Sequence, residues 1–326
     1  MNETRLRRVV KLGLAAAFLA GLASEASAAD IAVVGGRVDD PFFAIVKRGV
    51  DDAAKLSEAR GGSVNYLALQ SYENIGADAA TLIRTAIAQG AKGIAAPNWV
   101  PEAQDAAYKA ATDAGIPIIL YNAGGAEKAA ELGAINYVGT EDYLAGVAAG
   151  DYLGAAKAKK VICVNTVPGA ANLEARCKGI SDGVTKAGFQ SEQLPLPASS
   201  FGDKTAVSEA IKAALLKDGD IDALVTMGNQ DADSAAIAIQ QAGAQNRVKL
   251  GTFNTDQASL DRIAAGTQSF AVDQQGYLQG YLAVFLLDSY VTYGMKSPTN
   301  QILTGPLIVD ATNVQATLEG VKAGVR

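Results

Sequence analysis

Residues 31–43 read Ile-Ala-Val-Val-Gly-Gly-Arg-Val-Asp-Asp-Pro-Phe-Phe. A short apolar run ends at Gly35-Gly36, and Asp40-Pro41 then opens a helical pattern, with proline at its favoured first helical position. One strand therefore turns directly into one helix, and the same unit recurs along the chain. Strands are expected at 31–35, 64–69, 93–97, 117–121, 161–165, 224–227, 249–253 and 269–272. Helices are expected at 43–59, 78–89, 102–114, 144–156, 173–187, 206–217, 234–242, 260–265 and 277–293. Gly90, Gly115, Gly188 and Gly243 stand where left-handed helix ends are expected. Near-continuous apolar strands separated by helices mean α/β architecture, with parallel sheets covered on both faces. The last helix, YLQGYLAVFLLDSYVTY, is apolar almost all round and is expected to be buried between layers.

Before the first strand lie Arg5, Arg7, Arg8 and Lys11, an apolar run over 12–22, and Ala26-Ser27-Ala28. A charged start, a short apolar stretch and a small-residue site read as an export signal over 1–28, cleaved near Ala28. The apolar stretch is well short of the roughly 20 residues a spanning helix needs. Arg7-Arg8 is a partial twin-arginine match, but the residues after it fit the general secretory route better.

The whole chain carries 28 basic and 34 acidic residues, a net charge of −6. Removing the basic leader leaves the remainder more negative still, which argues against nucleic acid or anionic membrane as partner. The chain has no histidine, so the commonest general base and zinc ligand are both excluded. No metal or cofactor is implied. Cys163 and Cys177, in an oxidising compartment, read either as a local disulfide worth about 3 kcal/mol in loop-closure entropy or as two buried thiols.

The chain after the leader is long enough for two domains of ordinary size. No low-complexity linker separates them, and the best boundary is 135–142, a short strand at 136–139 followed by Thr140-Glu141-Asp142. In parallel α/β sheets, ligands bind beyond the carboxyl ends of the strands. The loops there supply Arg37 to Phe43, Asn98-Trp99 with the only tryptophan, Asn122 to Gly125, Asn172 and Arg176, Phe201, Asn229-Gln230-Asp231, Phe253-Asn254, and Asp273-Gln274-Gln275. Aromatic faces with amides, carboxylates and a guanidinium suit a polyhydroxylated molecule, whose vicinal hydroxyls take paired hydrogen bonds. Simpler roles compete for each residue: Asp40 as a helix cap, Phe42 and Phe43 as core, Arg176 paired with Glu174 or Asp182 on its own helix, Asn229 and Asn254 as caps.

From residue 30 to about 309 the chain resembles the periplasmic sugar-binding proteins of the ribose-binding type. The resemblance rests on Asp39-Asp40-Pro41-Phe42-Phe43, Ile116-Pro117-Ile118-Ile119, Glu174-Ala175-Arg176 with Gly179, Gly228-Asn229 with Asp231, Gly251 to Asn254, and Asp273-Gln274 through Gly280, in that order. It implies two Rossmann-like lobes of the type I periplasmic binding protein fold, one of 30–140 plus 275–304 and one of 141–274 plus 305–326. Three hinge crossings are expected near Thr140, Gln274 and Thr304, with ligand in the cleft between the lobes. It also implies a non-enzymatic, monomeric receptor in the periplasm. Such a receptor delivers a solute to an ABC permease and, through it, to the ATPase, with a chemoreceptor as a further partner.

By the resemblance, Phe42 and Phe43 flank the ligand, and Phe201 is a second-lobe aromatic. Asp40, Asn122, Arg176, Asn229, Asn254 and Gln274 are its hydrogen-bonding partners, and Trp99 offers another stacking face. Three departures point away from ribose toward a different neutral sugar or polyol. Asp40 replaces an asparagine, Asn122-Ala123 replaces an Asp-Arg pair, and Asn254 replaces an aspartate. Two other classes share some features. A sugar-responsive regulator needs a basic DNA-binding segment where the export signal stands. A secreted carbohydrate-active enzyme needs cleft carboxylates, for which Asp39, Asp40 and Asp273 are the candidates.

Overall fold

The computed structural model describes residues 30–326. The expected export signal and its cleavage site lie outside these residues. Among the described residues no helix is long and apolar enough to cross a membrane.

The chain begins β1 (Asp30–Gly35), α1 (Pro41–Glu58), β2 (Ser63–Ala68), α2 (Ile75–Ala88), β3 (Gly93–Ala96), α3 (Pro101–Asp113), β4 (Ile118–Tyr121), α4 (Gly125–Glu131) and β5 (Asn136–Thr140). It continues with α5 (Asp142–Ala155), β6 (Lys160–Asn165), α6 (Ala171–Lys186), β7 (Gln190–Pro195), α7 (Lys204–Lys217), β8 (Ala223–Thr226), α8 (Asn229–Gln241), β9 (Lys249–Phe253), α9 (Gln257–Ala264) and β10 (Phe270–Asp273). It ends α10 (Gly276–Tyr293), β11 (Gln301–Gly305), β12 (Leu307–Val309) and α11 (Val314–Lys322).

The strands form two six-stranded sheets, ordered β11-β5-β4-β3-β1-β2 and β12-β10-β9-β8-β6-β7. Every pairing is parallel except that of β10 with β12. Strands such as β3, β4 and β8 are buried along their whole length, as two-sided coverage requires. The chain passes between the sheets three times: after Thr140 into α5, through Gln274 and Gln275 into α10, and between Gly305 and Leu307.

One helix pair on each sheet packs very closely. On α5, Gly146 and Gly150 recur at helical spacing and meet Gly179 and Gly183 of α6. A Cβ at Gly146 would lie 2.2 Å from the Arg176 carbonyl oxygen, and one at Gly150 would lie 2.5 Å from that of Ile180. On the other sheet Gly49 of α1 and Gly280 of α10 meet in the same way. Cys163 on β6 is bridged to Cys177 on α6, with Cα atoms 5.6 Å apart, so α6 is fixed to its sheet at the residue following Arg176.

Two expectations change. The helix α10 is not buried all round: Phe285 is 42 % exposed, and Tyr277, Tyr281 and Phe285 stack in sequence along its outer face. Their rings shield one another, and the Tyr277 hydroxyl donates to Asp52, so the apolar outer face is tolerated. The strands β7, β11 and β12, absent from the sequence reading, complete the sheet edges.

The glycine seam predicts a stability effect. Gly146→Ala should cost about 1–3 kcal/mol through overpacking, measured by urea unfolding. Gly219→Ala, where no atom lies within 4 Å of the added Cβ, should change stability little. Equal effects would contradict the close-approach account.

Candidate functional site

The carboxyl edges of the two sheets face each other across a cavity with about 490 Å³ of empty space, its opening to solvent included. Nine of the ten expected residues line it: Asp40, Phe42, Phe43, Trp99, Asn122, Arg176, Phe201, Asn254 and Gln274. Asn229 does not. It is the first residue of α8, and its Nδ2 donates to Asp256 Oδ2 at 2.9 Å. Its neighbours Gly228 and Gln230 reach the cavity instead, because one residue of helix rotates a side chain by about 100°.

On the first lobe Asp40 has two duties. Oδ1 accepts from the Phe42 N–H at 2.9 Å, capping α1, and Oδ2 accepts from the Tyr72 hydroxyl at 2.6 Å. The cap and the cavity wall are thus the same carboxylate, and burial pushes its pKa up despite both bonds. Phe43 stands edge-on to Phe42 and to Trp99, with ring centres 5.3 and 5.7 Å apart. Gly36 makes room for this: a Cβ there would fall 2.2 Å from the Phe43 ring.

On the second lobe Arg176 is almost fully buried. Its Nε and Nη2 both reach Asp142 Oδ1 at 2.7 Å, and its guanidinium lies 4.7 Å from the centre of the Phe253 ring. The partner is thus Asp142 at the start of α5, not Glu174 or Asp182 on Arg176's own helix. Nη2 also donates to Gln274 Oε1 at 2.6 Å, and Gln274 Nε2 donates to Asn254 Oδ1 at 2.5 Å. Where the chain crosses, the Gln274 carbonyl accepts from Thr304 Oγ1 at 2.7 Å and from Gln279 Nε2 at 3.1 Å. The Gln279 Oε1 accepts from Asn122 Nδ2 at 3.3 Å. One polar network therefore runs from Asn122 on the first lobe to Asp142 on the second. Asn122 and Asn254 occupy matching places after β4 and β9, both with positive φ, 64° and 69°. Such strained backbone concentrates at functional sites.

The lobes touch at the cavity mouth. The Ala171 N–H donates to the Trp99 carbonyl at 2.7 Å. Tyr72 stands edge-on to Phe201 at 4.7 Å, and the Arg37 guanidinium lies 5.3 Å from the Phe201 ring centre. This conformation is closed. Among the lining residues, Asn172 Oδ1 is fully shielded from solvent and has no hydrogen-bond partner among the described residues. Among the described residues no cluster of three or more His, Cys, Asp or Glu could hold a metal.

Tyr72, Asn172 and Gln230 also line the cavity, and Asp142 and Gln279 hold Arg176 and Asn122, though none of the five was an expected site residue. Tyr72 lies on the loop after β2, a stretch of the rim with no expected site residue. Asn172 stood among the rim residues without being singled out. Asp142 and Gln279 act through partners 34 and 157 residues away, which no local pattern reveals.

Burial raises two further carboxyl groups. Asp142 is pushed up to about 6, against the opposing pull of Arg176. Asp231, which accepts from Thr166 at 2.8 Å, is pushed up to about 7, with Asp40 adding repulsion. A carboxyl raised in the folded state binds protons more readily there than when unfolded. Its contribution to stability therefore grows as pH falls through its folded value and is lost as pH rises through it. The melting temperature of the unliganded protein should rise by a few degrees between pH 8 and pH 5, and Asp231→Asn should flatten the upper part of that rise. A melting temperature that falls over this interval would contradict the assignment.

Comparison with known proteins agrees with this architecture. Residues 31–295 match the periplasmic binding protein domain family. The xylose/arabinose-binding protein XylF of Sulfolobus acidocaldarius is 25 % identical over 295 residues, covering 86 % of this chain and 70 % of that protein. A carbohydrate transporter from Acidothermus cellulolyticus 11B, solved in complex with myo-inositol, is 30 % identical with a TM-score of 0.82, covering 91 % of this chain and 99 % of that one. A solute-binding protein from Burkholderia graminis C4D1M, solved with D-arabinose, shares the fold at 21 % identity and a TM-score of 0.75, over 88 % of this chain and 97 % of that one. With two parallel α/β sheets, three crossings and a cavity between the lobes, the chain belongs to the periplasmic binding protein family, with the type I fold.

Proposed function

We propose that the chain is an exported receptor that captures a neutral sugar or polyol between its lobes and hands it, unchanged, to an ABC permease. The observation that carries this reading is the composition of the interlobe cavity. It combines aromatic faces (Phe42, Phe43, Trp99, Phe201) with amides, one carboxylate and one guanidinium, the last two held by Tyr72 and Asp142. Such a wall matches the C–H faces and vicinal hydroxyls of a polyhydroxylated solute. The buried, unbonded Asn172 Oδ1 adds an acceptor for a hydroxyl proton. Relatives named for xylose and arabinose, or solved with myo-inositol and D-arabinose, support the same class.

The lobes, 30–140 with 275–304 and 141–274 with 305–326, move as two bodies about the crossings at Thr140, Gln274 and Thr304. Ligand gains its full set of contacts only when both lobes meet it, so binding shifts the population toward the closed form. The permease and its ATPase, and a chemoreceptor or sensor, are the partners of that closed form. The leader over 1–28, cleaved near Ala28, directs the protein to the periplasm. Catalysis is not part of this reading: Asp40 is engaged by Tyr72 and a helix N–H, and Asp273 is paired with Arg326.

A thermal-shift screen over pentoses, hexoses, deoxysugars, polyols and cyclitols tests the proposal. A true ligand at 100 times its dissociation constant should stabilise the protein by about 2.7 kcal/mol, and chromatography of the same mixture should return it unaltered. A shift with amino acids or phosphates alone, or conversion of the sugar to product, would overturn it.

A further inference from the structure

Asp142 does not line the cavity, yet the hydrogen-bonding character of the cavity wall depends on it. A guanidinium can only donate hydrogen bonds. Because Arg176 Nη2 donates to Gln274 at 2.6 Å, Gln274 must turn its oxygen toward Arg176 and its amide nitrogen away. That nitrogen reaches Asn254 at 2.5 Å, so Asn254 must turn its own oxygen toward Gln274. The Asn254 Nδ2 group, with no hydrogen bond to any described residue, is left as the end that Asn254 offers to the cavity it lines. The two ends of an amide are nearly alike in shape, and the hydrogen-bond network decides which way each one faces. Here one cation dictates both amides, and that cation is held through Nε and Nη2 by Asp142. Asp142, Arg176 and Asn254 all belong to the second lobe, and Gln274 lies on the crossing beside them, so the chain of bonds does not require closure.

We infer that Asp142 is a positioning residue for ligand selection: through Arg176 and Gln274 it fixes Asn254 as a hydrogen-bond donor to the ligand. This rests on the receptor reading above and sharpens its ligand class. Beside the Asn172 Oδ1 acceptor, the second lobe offers two donors, Asn254 Nδ2 and the Arg176 Nη1 that has no partner among the described residues, whereas the first offers the Asp40 carboxyl. The ligand presents oxygen lone pairs, from a ring oxygen or hydroxyl oxygens, to the second lobe and hydroxyl protons to Asp40. An analogue with a protonated amine facing Asn254 and Arg176 is rejected.

Side-chain amide exchange in ¹⁵N-labelled, unliganded protein tests the relay. The Gln274 and Asn254 signals are identified by their loss in Gln274→Glu and Asn254→Asp. Gln274 protons should exchange at least tenfold more slowly than those of Asn254, and Asp142→Asn should abolish that difference in protein that still unfolds cooperatively, at a lower melting temperature because Arg176 loses its countercharge. Equal rates in the native protein, or a difference untouched by Asp142→Asn, would overturn the relay. Calorimetry with the neutral ligand found by screening supplies the second arm. Asp142→Asn and Asn254→Asp should each weaken binding at least tenfold, with the double variant close to Asn254→Asp alone; losses that multiply would overturn the coupling. Failure of every polyhydroxylated compound to bind would strike the receptor reading instead, and leave the exchange arm to decide the relay.

Discussion

A buried guanidinium at the seam between the two lobes is the constraint around which the site is organised. Arg176 is 2 % exposed, and a charge so far from water persists only when its donors are matched. Asp142 supplies the countercharge from just beyond one crossing, and Gln274 supplies an oxygen from the next crossing. The cation thus ties together two of the three places where the chain passes between lobes. The disulfide at Cys177 and the glycine seam between α5 and α6 hold the backbone on which Arg176 stands. Packing, hinge and cavity wall therefore meet in one side chain.

The two lobes repeat one arrangement with different chemistry. Asn122 after β4 and Asn254 after β9 have the same left-handed backbone, and each donates its N–H to the neighbouring strand, to Val138 and Val272. Their side chains then diverge. Asn122 donates to Gln279, whereas Asn254 accepts from Gln274. A shared backbone position with opposite hydrogen-bonding duty leaves the oxygen of Asn122 and the nitrogen of Asn254 as the ends without a partner among the described residues.

Much of this was legible in the sequence wherever the signal was local. Apolar strands, Gly-terminated helices and the Asp40-Pro41 helix start are set by residues within one or two turns, so the α/β alternation and the rim that holds nine of ten expected residues could be read directly. The edge strand β7, Gln-Ser-Glu-Gln-Leu-Pro, hid because an exposed edge needs no apolar run. Asn229 failed as a lining residue because helix phase, not position in sequence, decides which of two neighbours faces a cavity. Asp142 was unreadable for a different reason: its role exists only once α5 and α6 pack, and that packing is set by glycines rather than by charge.

Small-angle scattering on the exported protein, with and without saturating ligand, tests the central claim that closure around a solute is the function of this architecture. The cavity walls come from both lobes, and neither encloses a molecule alone, so the radius of gyration should decrease on binding. An unchanged radius, with tight binding established in the same sample, would contradict the account.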